Sequence, residues 1–458
     1  MAKRKTSKTD TKDLKESEKN PQDKNEKKVR VLWFLFLFTL ISFIVYILYQ
    51  NNFNIFPASQ VTIDSTVLKN DSLKPNTNFA NAVSDTTSDT TVKVLYVSNA
   101  EDLNVPFSID KNAGQNIKRV FSGRRINIIV TGVDSRLGTA GKHADANHIL
   151  SILPDSGVIE ITSIPRDTPA EAGMPDTSGQ NKLTIVRAIK GREAYFTEAA
   201  KIAGLDKIHY WVEAGFSQVM GILNLLGFKD PGSALQVLRS RTGLGGDDYQ
   251  RSYNQGQFIR QSILHHFNKF TGVMGEIAIR GGLAFVETNL TAATIKNIIS
   301  QLEAKKFPKG PESITIKVRP PLGMNFKVYD FTDQAIFNNL KSKIESYNTY
   351  KGLDSVKVVT NVGNKLKNLI NKAIQDSSKR PNDVIKNLSV YFDQRAWHQI
   401  NEESIRNSVR DQMGELLANA YSKKKQFDKA TNVRTIVANE KEIFSKQIFE
   451  KPKNSISK

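Results

Sequence analysis

The pattern of apolar and polar positions divides the chain into unlike parts. Residues 31–49, VLWFLFLFTLISFIVYILY, are 19 residues without a charge. As a helix they would span roughly 28 Å, the thickness of a bilayer's hydrocarbon. Trp33, Tyr46 and Tyr49 lie near the ends of this run, where interfacial aromatics belong. A cleaved leader would have a shorter apolar core and a small-residue cleavage site, so the pattern predicts a retained transmembrane helix. Residues 1–30 before it are charged and low in apolar residues, and 50–118 after it are rich in Ser, Thr, Asn and Asp, with Ser-Asp-Thr-Thr repeated at 84 and 88. These compositions predict a tail without a packed core and a spacer.

Beyond the spacer the periods change. A short strand is predicted at 93–97. The run INIIV at 126–130 is continuous and β-branched, as in a strand buried on both faces. Residues 148–153 and 158–164 predict a hairpin, joined by Pro154-Asp-Ser-Gly157. Helices are predicted at 193–203, ending at Gly204, and at 216–226, ending at Gly227, with a strand at 207–212 between them. In the second helix Phe216, Val219, Leu223 and Leu226 form one buried face. A further helix is predicted at 255–269 and another at 292–304 behind the N-cap Thr291, then a closing strand at 313–318. Polar helices follow at 338–347, 362–374 and 402–422, and 423–458 reads as charged and mostly without period. The domain expectation is a tail at 1–30, an anchor at 31–49, a spacer at 50–118, an α/β/α domain with a mixed central sheet at 119–335, and a mostly helical region at 336–458.

Charge fixes the orientation expected for the anchor. Eleven Lys/Arg stand against six Asp/Glu before residue 31, and residues 50–57 carry no charge. The positive-inside rule then puts the N-terminus in the cytoplasm and the main domain outside. The whole chain has 65 Lys+Arg and 46 Asp+Glu, a net +19. An extracytoplasmic location argues against nucleic acid as the partner and for anionic lipid head groups or phosphate-rich wall polymers. With no cysteine, disulfides and thiolate metal sites are excluded. P-loop, Gly-x-Ser-x-Gly and His-Glu-x-x-His patterns are absent from the sequence.

The candidate chemistry lies in separated charges. Asp134 and Asp145 flank a loop containing Gly138 and Gly141, and such a loop would bring both carboxylates to one hard cation, Mg2+ or Mn2+. Each Asp alone is equally an ordinary turn residue. Pro165 keeps the chain extended into Arg166 and Asp167. Arg239 and Arg241 share a face if extended, where both would grip one diphosphate, and diverge by about 200° if helical. Arg251 and Gln255 share one face at a helix start, and Lys182 is a further phosphate cation.

Together these segments resemble the LytR-CpsA-Psr family of cell-wall ligases over 125–302. Gly132-Val-Asp-Ser-Arg136 resembles the family's Gly-x-Asp-x-Arg, and Asp145 falls where the family has a Ser-Asp-Thr acid. Ser163-Ile-Pro-Arg-Asp-Thr168 matches without change and is the most specific motif. Lys182, Tyr210-Trp-Val-Glu-Ala-Gly-Phe216, Leu238-Arg-Ser-Arg241, Asp248-Tyr-Gln-Arg251 and Val286-Glu-Thr-Asn-Leu290 resemble later family segments. Three departures stand out: Ala146 for a Thr, Thr184 for an Asn, and Asn254-Gln255-Gly256 for Arg-Gln-Gln. The resemblance implies a single-pass membrane enzyme that moves a glycopolymer from a polyprenyl-diphosphate carrier to a peptidoglycan hydroxyl as a phosphodiester, with pyrophosphate hydrolysis as a side activity. It implies metal binding by Asp134 and Asp145, a diphosphate clamp of Arg166, Lys182, Arg239, Arg241 and Gln255, and catalysis by Arg166, Arg251 and Asp167. Two alternatives stay open: a membrane-anchored binder or scaffold without turnover, and a hydrolase that makes no acceptor product.

Overall fold

A computed structural model describes residues 105–117, 123–139, 141, 143–241, 247–350, 360–446, 448 and 449. The anchor at 31–49, the strand at 93–97 and most of the spacer lie outside these residues. Among the described residues no helix is long and apolar enough to cross a membrane.

The centre is a six-stranded mixed sheet. Its strands are β2 (Ile126–Val133), β3 (Ala144–Leu153), β4 (Val158–Ile164), β5 (Tyr210–Ala214), β6 (Glu287–Thr288) and β7 (Ile314–Val318), in spatial order β6-β5-β2-β3-β4-β7. The predicted hairpin is β3–β4, with Ser156 and Gly157 amides donating to the Leu153 carbonyl at 3.1 and 2.9 Å. β2 runs parallel to β5 and antiparallel to β3, and β4 runs antiparallel to β3 and parallel to β7. Four strands therefore end on one edge of the sheet, at Val133, Ile164, Ala214 and Val318, and β3 begins there. That edge is where open α/β sheets carry their ligands.

Side-chain alternation gives each strand two buried faces. Ile129, Ile149 and Ile164 pack with Leu183, Val186, Tyr195 and Phe196 of α1 (Leu183–Ile189) and α2 (Gly191–Ala203). Ile128, Ile152 and Ile161 point the other way, onto Phe267, Ile298, Leu302 and Phe307. That second layer comes from α5 (Asp248–His266), the turn after it, and α7 (Ala292–Ala304), whose cap is Thr291 as predicted, accepting from the Thr294 amide at 3.1 Å. The result is the expected α/β/α layering.

The domain is larger than 119–335. Strand β1 (Ser108–Asp110) pairs with β8 (Phe326–Val328), so this end of the presumed spacer is part of the fold. Val105 is buried with Tyr329 and Phe331. At the other end Phe337, Leu340 and Ile344 of α8 (Gln334–Tyr350) pack on Ala234, Val237 and Leu238 of α4 (Pro231–Arg239). α3 (Phe216–Leu225) matches its prediction in extent, but its most buried positions include Ser217, Gln218 and Gly221 beside Leu223. The strand predicted at 207–212 lies at β5, and the helix predicted from 255 begins seven residues earlier, at Asp248.

After α6 (Gly272–Ala284) and α8, four helices share a core of their own. They are α9 (Thr360–Asp376), α10 (Pro381–Asp393), α11 (Glu403–Lys423) and α12 (Phe427–Ser445). Leu366, Leu388, Phe392, Trp397 and Met413 are buried together there. α12 replaces the aperiodic tail expected after 423. It also packs on the α/β domain, where Ile443 joins Ala278 and Phe285 in one cluster with Phe449.

Candidate active site

Asp134 and Asp145 meet at the mouth of one hairpin. The β2–β3 register shifts between Gly132, opposite Ala146, and Val133, opposite Ala144. Asp145 is thus the extra residue of a β-bulge, a device that re-aims a side chain. The Asp134 amide donates to the His143 carbonyl at 3.0 Å and closes the loop. At Gly141 a Cβ would lie 2.7 Å from the Asp134 carbonyl oxygen, so only glycine lets the two loop arms approach.

Arg166 and Asp167 follow β4 on the same edge. The segment is pinned by α1, whose Leu183 and Thr184 amides donate to the Thr168 and Arg166 carbonyls at 2.9 and 3.1 Å. Arg166 Nη1 donates to Asp145 Oδ1 at 2.9 Å. Burial works against the Arg166 charge, but the Asp145 hydrogen bond and the charges of Asp145, Asp167 and Asp248 together raise its pKa. Asp167 lies 3.8 Å from Arg166 Nε, 3.5 Å from Lys182 Nζ and 3.5 Å from Arg241 Nη2.

The remaining cations arrive from α4 and α5. Arg239 is the last residue of α4, and Ser240 after it is extended, so neither the strand nor the helix alternative holds through 239–241. The Arg239 guanidinium lies 3.9 Å over the Phe216 ring. Desolvation there lowers its pKa, against the pull of Asp145 and Asp134, and it remains a cation. Arg241 Nε lies 3.2 Å from Asp248 Oδ1, which Arg251 Nη2 also contacts. Arg251 is buried, and desolvation lowers its pKa to about 10; Asp248 and Asp145 oppose that, while Arg241 and Arg166 add to it. Among the described residues, Nε and Nη2 of Arg251, Nε of Arg166 and both Asp248 oxygens are buried without an aligned hydrogen-bond partner. The Nε donors of Arg251 and Arg166 suit an anionic ligand with several acceptor oxygens.

Eight of the residues singled out in the sequence thus belong to one charge cluster: Asp134, Asp145, Arg166, Asp167, Lys182, Arg239, Arg241 and Arg251. Gln255 lies deeper. Its Nε2 donates to the Leu238 carbonyl at 3.0 Å, and it faces His148 without an aligned hydrogen bond to it. Asp248, which links Arg241 to Arg251, has no distinct role in the sequence reading. Its signal there is only its place three residues before Arg251.

The Asn254-Gln255-Gly256 departure has local reasons. A Cβ on Gly256 would collide with Ser163 Oγ, the atom 2.9 Å from His148 Nδ1, so the glycine lets α5 lie against β4. Asn254 is buried and accepts from Gln250 Nε2 at 2.8 Å. Ala146 lies where a Cβ on Gly132 would approach its own to 3.0 Å.

The donor set fits a hard divalent cation. Among the described residues no group of three or more His, Cys, Asp or Glu could hold a metal. Mg2+, however, commonly takes one or two carboxylates and fills its shell with water and substrate phosphate. Asp134 and Asp145 supply that pair at the hairpin mouth.

A model of the "LytR_cpsA_psr family" matches residues 89–227. No curated protein matches the chain. Solved structures similar to it include TagV of B. subtilis, at 15% identity, 49% of this chain and 99% of that one, with a TM-score of 0.34. Protein gbs0355 of Streptococcus agalactiae has 17% identity, 51% and 96% coverage, and a TM-score of 0.33. TagT bound to LIIa-WTA has 14% identity, 52% and 96% coverage, and a TM-score of 0.32. The segment bearing Asp134, Asp145, Arg166, Asp167 and Lys182 is therefore the part of the chain that matches the LytR-CpsA-Psr family, a family linked to the attachment of cell-wall glycopolymers.

Proposed function

We propose that this protein is a phosphotransferase that moves a glycopolymer from a polyprenyl-diphosphate carrier to a hydroxyl of peptidoglycan. The observation that carries this reading is the convergence of five cations and four carboxylates, Asp248 among them, on one edge of the sheet. Phosphoryl transfer needs positioning and charge stabilisation more than covalent help from the protein. Asp134 and Asp145 would hold Mg2+ or Mn2+, which when bound neutralises charge on phosphoryl oxygens.

The chain's own groups would do the rest. Arg166, Lys182, Arg239 and Arg241 clamp the diphosphate, and Arg251, with its unaligned buried donors, faces the phosphorus being transferred. Asp167 holds Arg166, Lys182 and Arg241 in register. The acceptor hydroxyl oxygen bonds to the sugar-linked phosphorus, the bond from that phosphorus to the bridging oxygen breaks, and polyprenyl monophosphate leaves with the hydroxyl proton. Gln255 acts from beneath, through Leu238 and α4. A single-pass anchor at 31–49, with the N-terminus cytoplasmic, would hold this domain against the outer face of the membrane where such a carrier resides.

The test uses purified lipid-linked substrate and peptidoglycan with Mg2+ or with chelator. Arg166→Ala and Asp145→Ala are each expected to reduce transfer about 100-fold or more, as loss of a charge-stabilising group does. Chelation should do the same. Wild-type turnover in both variants and in chelator would sink the reading. Diphosphate cleavage without an acceptor product would favour a hydrolase, and binding without turnover a scaffold.

A further inference from the structure

We propose that Gln394, in the turn after α10, is a positioning residue for the Asp134 and Asp145 pair, and that the helical C-terminal region completes the active site by clamping the loop between them. This rests on the reading of those two carboxylates as the cation site.

The loop's own described backbone bonds are Asp134 N–H to His143 O at 3.0 Å and Thr139 N–H to Arg136 O at 2.8 Å. Gly138 within it is left-handed, at φ 81°. Three further hydrogen bonds come from more than 250 residues away along the chain. Gln394 Oε1 accepts from the Gly138 amide at 2.9 Å, and its Nε2 donates to the Arg136 and Thr139 carbonyls at 2.9 and 2.7 Å. Both amide hydrogens are spent on loop carbonyls, so one side chain fixes three backbone groups of a four-residue stretch. A glutamate there would lose both donors, and an asparagine would fall short by one methylene.

The base of this clamp is itself fixed. Arg395 next to it is left-handed, at φ 53°, and fully engaged. Its Nε donates to the Ala284 carbonyl at 2.8 Å, and its Nη1 to Phe392 and Asp393 carbonyls at 2.8 and 3.1 Å. The Tyr391 ring packs against Gly138, and Leu137 packs on the core of the C-terminal helices. A second strut runs through Gln218, which donates to the Asp393 carbonyl at 3.2 Å and accepts from the Gly215 amide at 2.6 Å. Gly215 in turn abuts the side chain of Ser135, next to Asp134. The loop is thus gripped from two sides, and both of its ends are the metal acids. Family matching stops at residue 227, far short of this contact.

The experiment uses the full-length chain, comparing wild type with Gln394→Ala, Gln394→Met and Asp145→Ala. Hydrogen exchange reads the peptide spanning 134–143, Mn2+ titration followed by electron paramagnetic resonance reads the site, and thermal melting reads the fold. Loss of the clamp should speed exchange in the loop and weaken Mn2+ binding, each about tenfold, a scale set by losing one or two net hydrogen bonds. The melting temperature should change little in Gln394→Met, which keeps the side chain's length. Unchanged exchange in both Gln394 variants would overturn the clamp. Faster exchange with unchanged Mn2+ binding would overturn the positioning role. Failure of the cation reading has a different signature: Asp145→Ala binding Mn2+ as tightly as wild type, which overturns that reading and the positioning role with it.

Discussion

His148 is a buried base placed beneath an array of cations. Its Nδ1 is 2.9 Å from Ser163 Oγ, and Gln255 faces the ring. Burial pushes its pKa down to about 4; Gln255 pulls upward, and the Arg251 charge adds to the depression. The unfolded chain titrates near 6.5, so between there and about 4 it binds a proton that the native state refuses. Stability is therefore complete above pH 6.5 and falls on acidification, by at most about 3 kcal/mol from this residue. Urea unfolding at pH 7 and pH 4.5 should show the midpoint drop, and His148→Gln should show a smaller one. His266, also depressed to about 4 by burial, contributes with the same sign. At this scale the sequence reading found the acids and arginines because their motifs are local. It placed Gln255 in the diphosphate clamp through the family resemblance, and a motif does not say which neighbour a side chain chooses. It quoted Asp248 within the Asp-Tyr-Gln-Arg motif but gave it no role, because Arg241, which Asp248 also holds, reaches it only in the fold.

At the scale of elements, α4 delivers Arg239 from a well-made start. Asp230 caps it, with Oδ1 accepting from the Ser233 amide at 3.0 Å, Pro231 in the first turn, and Lys341 of α8 at 3.0 Å from Oδ2. Burial raises the Asp230 pKa, but the Ser233 and Lys341 contacts outweigh it and hold the carboxylate ionised. Asp230→Ala should cost about 1–2 kcal/mol in denaturant unfolding, the range for a lost N-cap, and Asp230→Asn much less. The same physics explains which elements were legible. β2, the β3–β4 hairpin, α2 and α7 show their periods because apolar residues line their buried faces. The start of α5 does not, because the face it buries is Gln250, Arg251, Ser252 and Asn254. Gln250 there pairs with Asn254 and the Lys327 backbone, and hydrophobic periodicity is blind to such polar burial. α12 was missed because its buried positions are Ala430, Val433, Glu440 and Ile443, a stripe too mixed to stand out among lysines and asparagines.

At the scale of the molecule the C-terminal helices share a core with the α/β domain. Phe285 and Ala278 of the α/β domain are wholly buried, in a cluster closed by Ile443, Ile448 and Phe449. Trp397 is buried in the adjacent core with Nε1 2.9 Å from Glu440 Oε1, and His398 lies on the Phe285 ring at 5.1 Å between centroids. A chain ending at residue 350 would bare this surface along with the Ala284 carbonyl that Arg395 satisfies. Each large apolar side chain so exposed costs about 1.5–3 kcal/mol, against a typical total stability of about 5–15 kcal/mol. The truncated protein should melt well below the full chain, bind a hydrophobic dye in its native baseline and aggregate at micromolar concentration. A truncation that instead unfolds cooperatively at the full chain's melting temperature would make the helices an appendage. It would also leave the Asp134–Asp145 loop standing without Gln394, so thermal melting of this one variant tests the architecture on which the clamp depends.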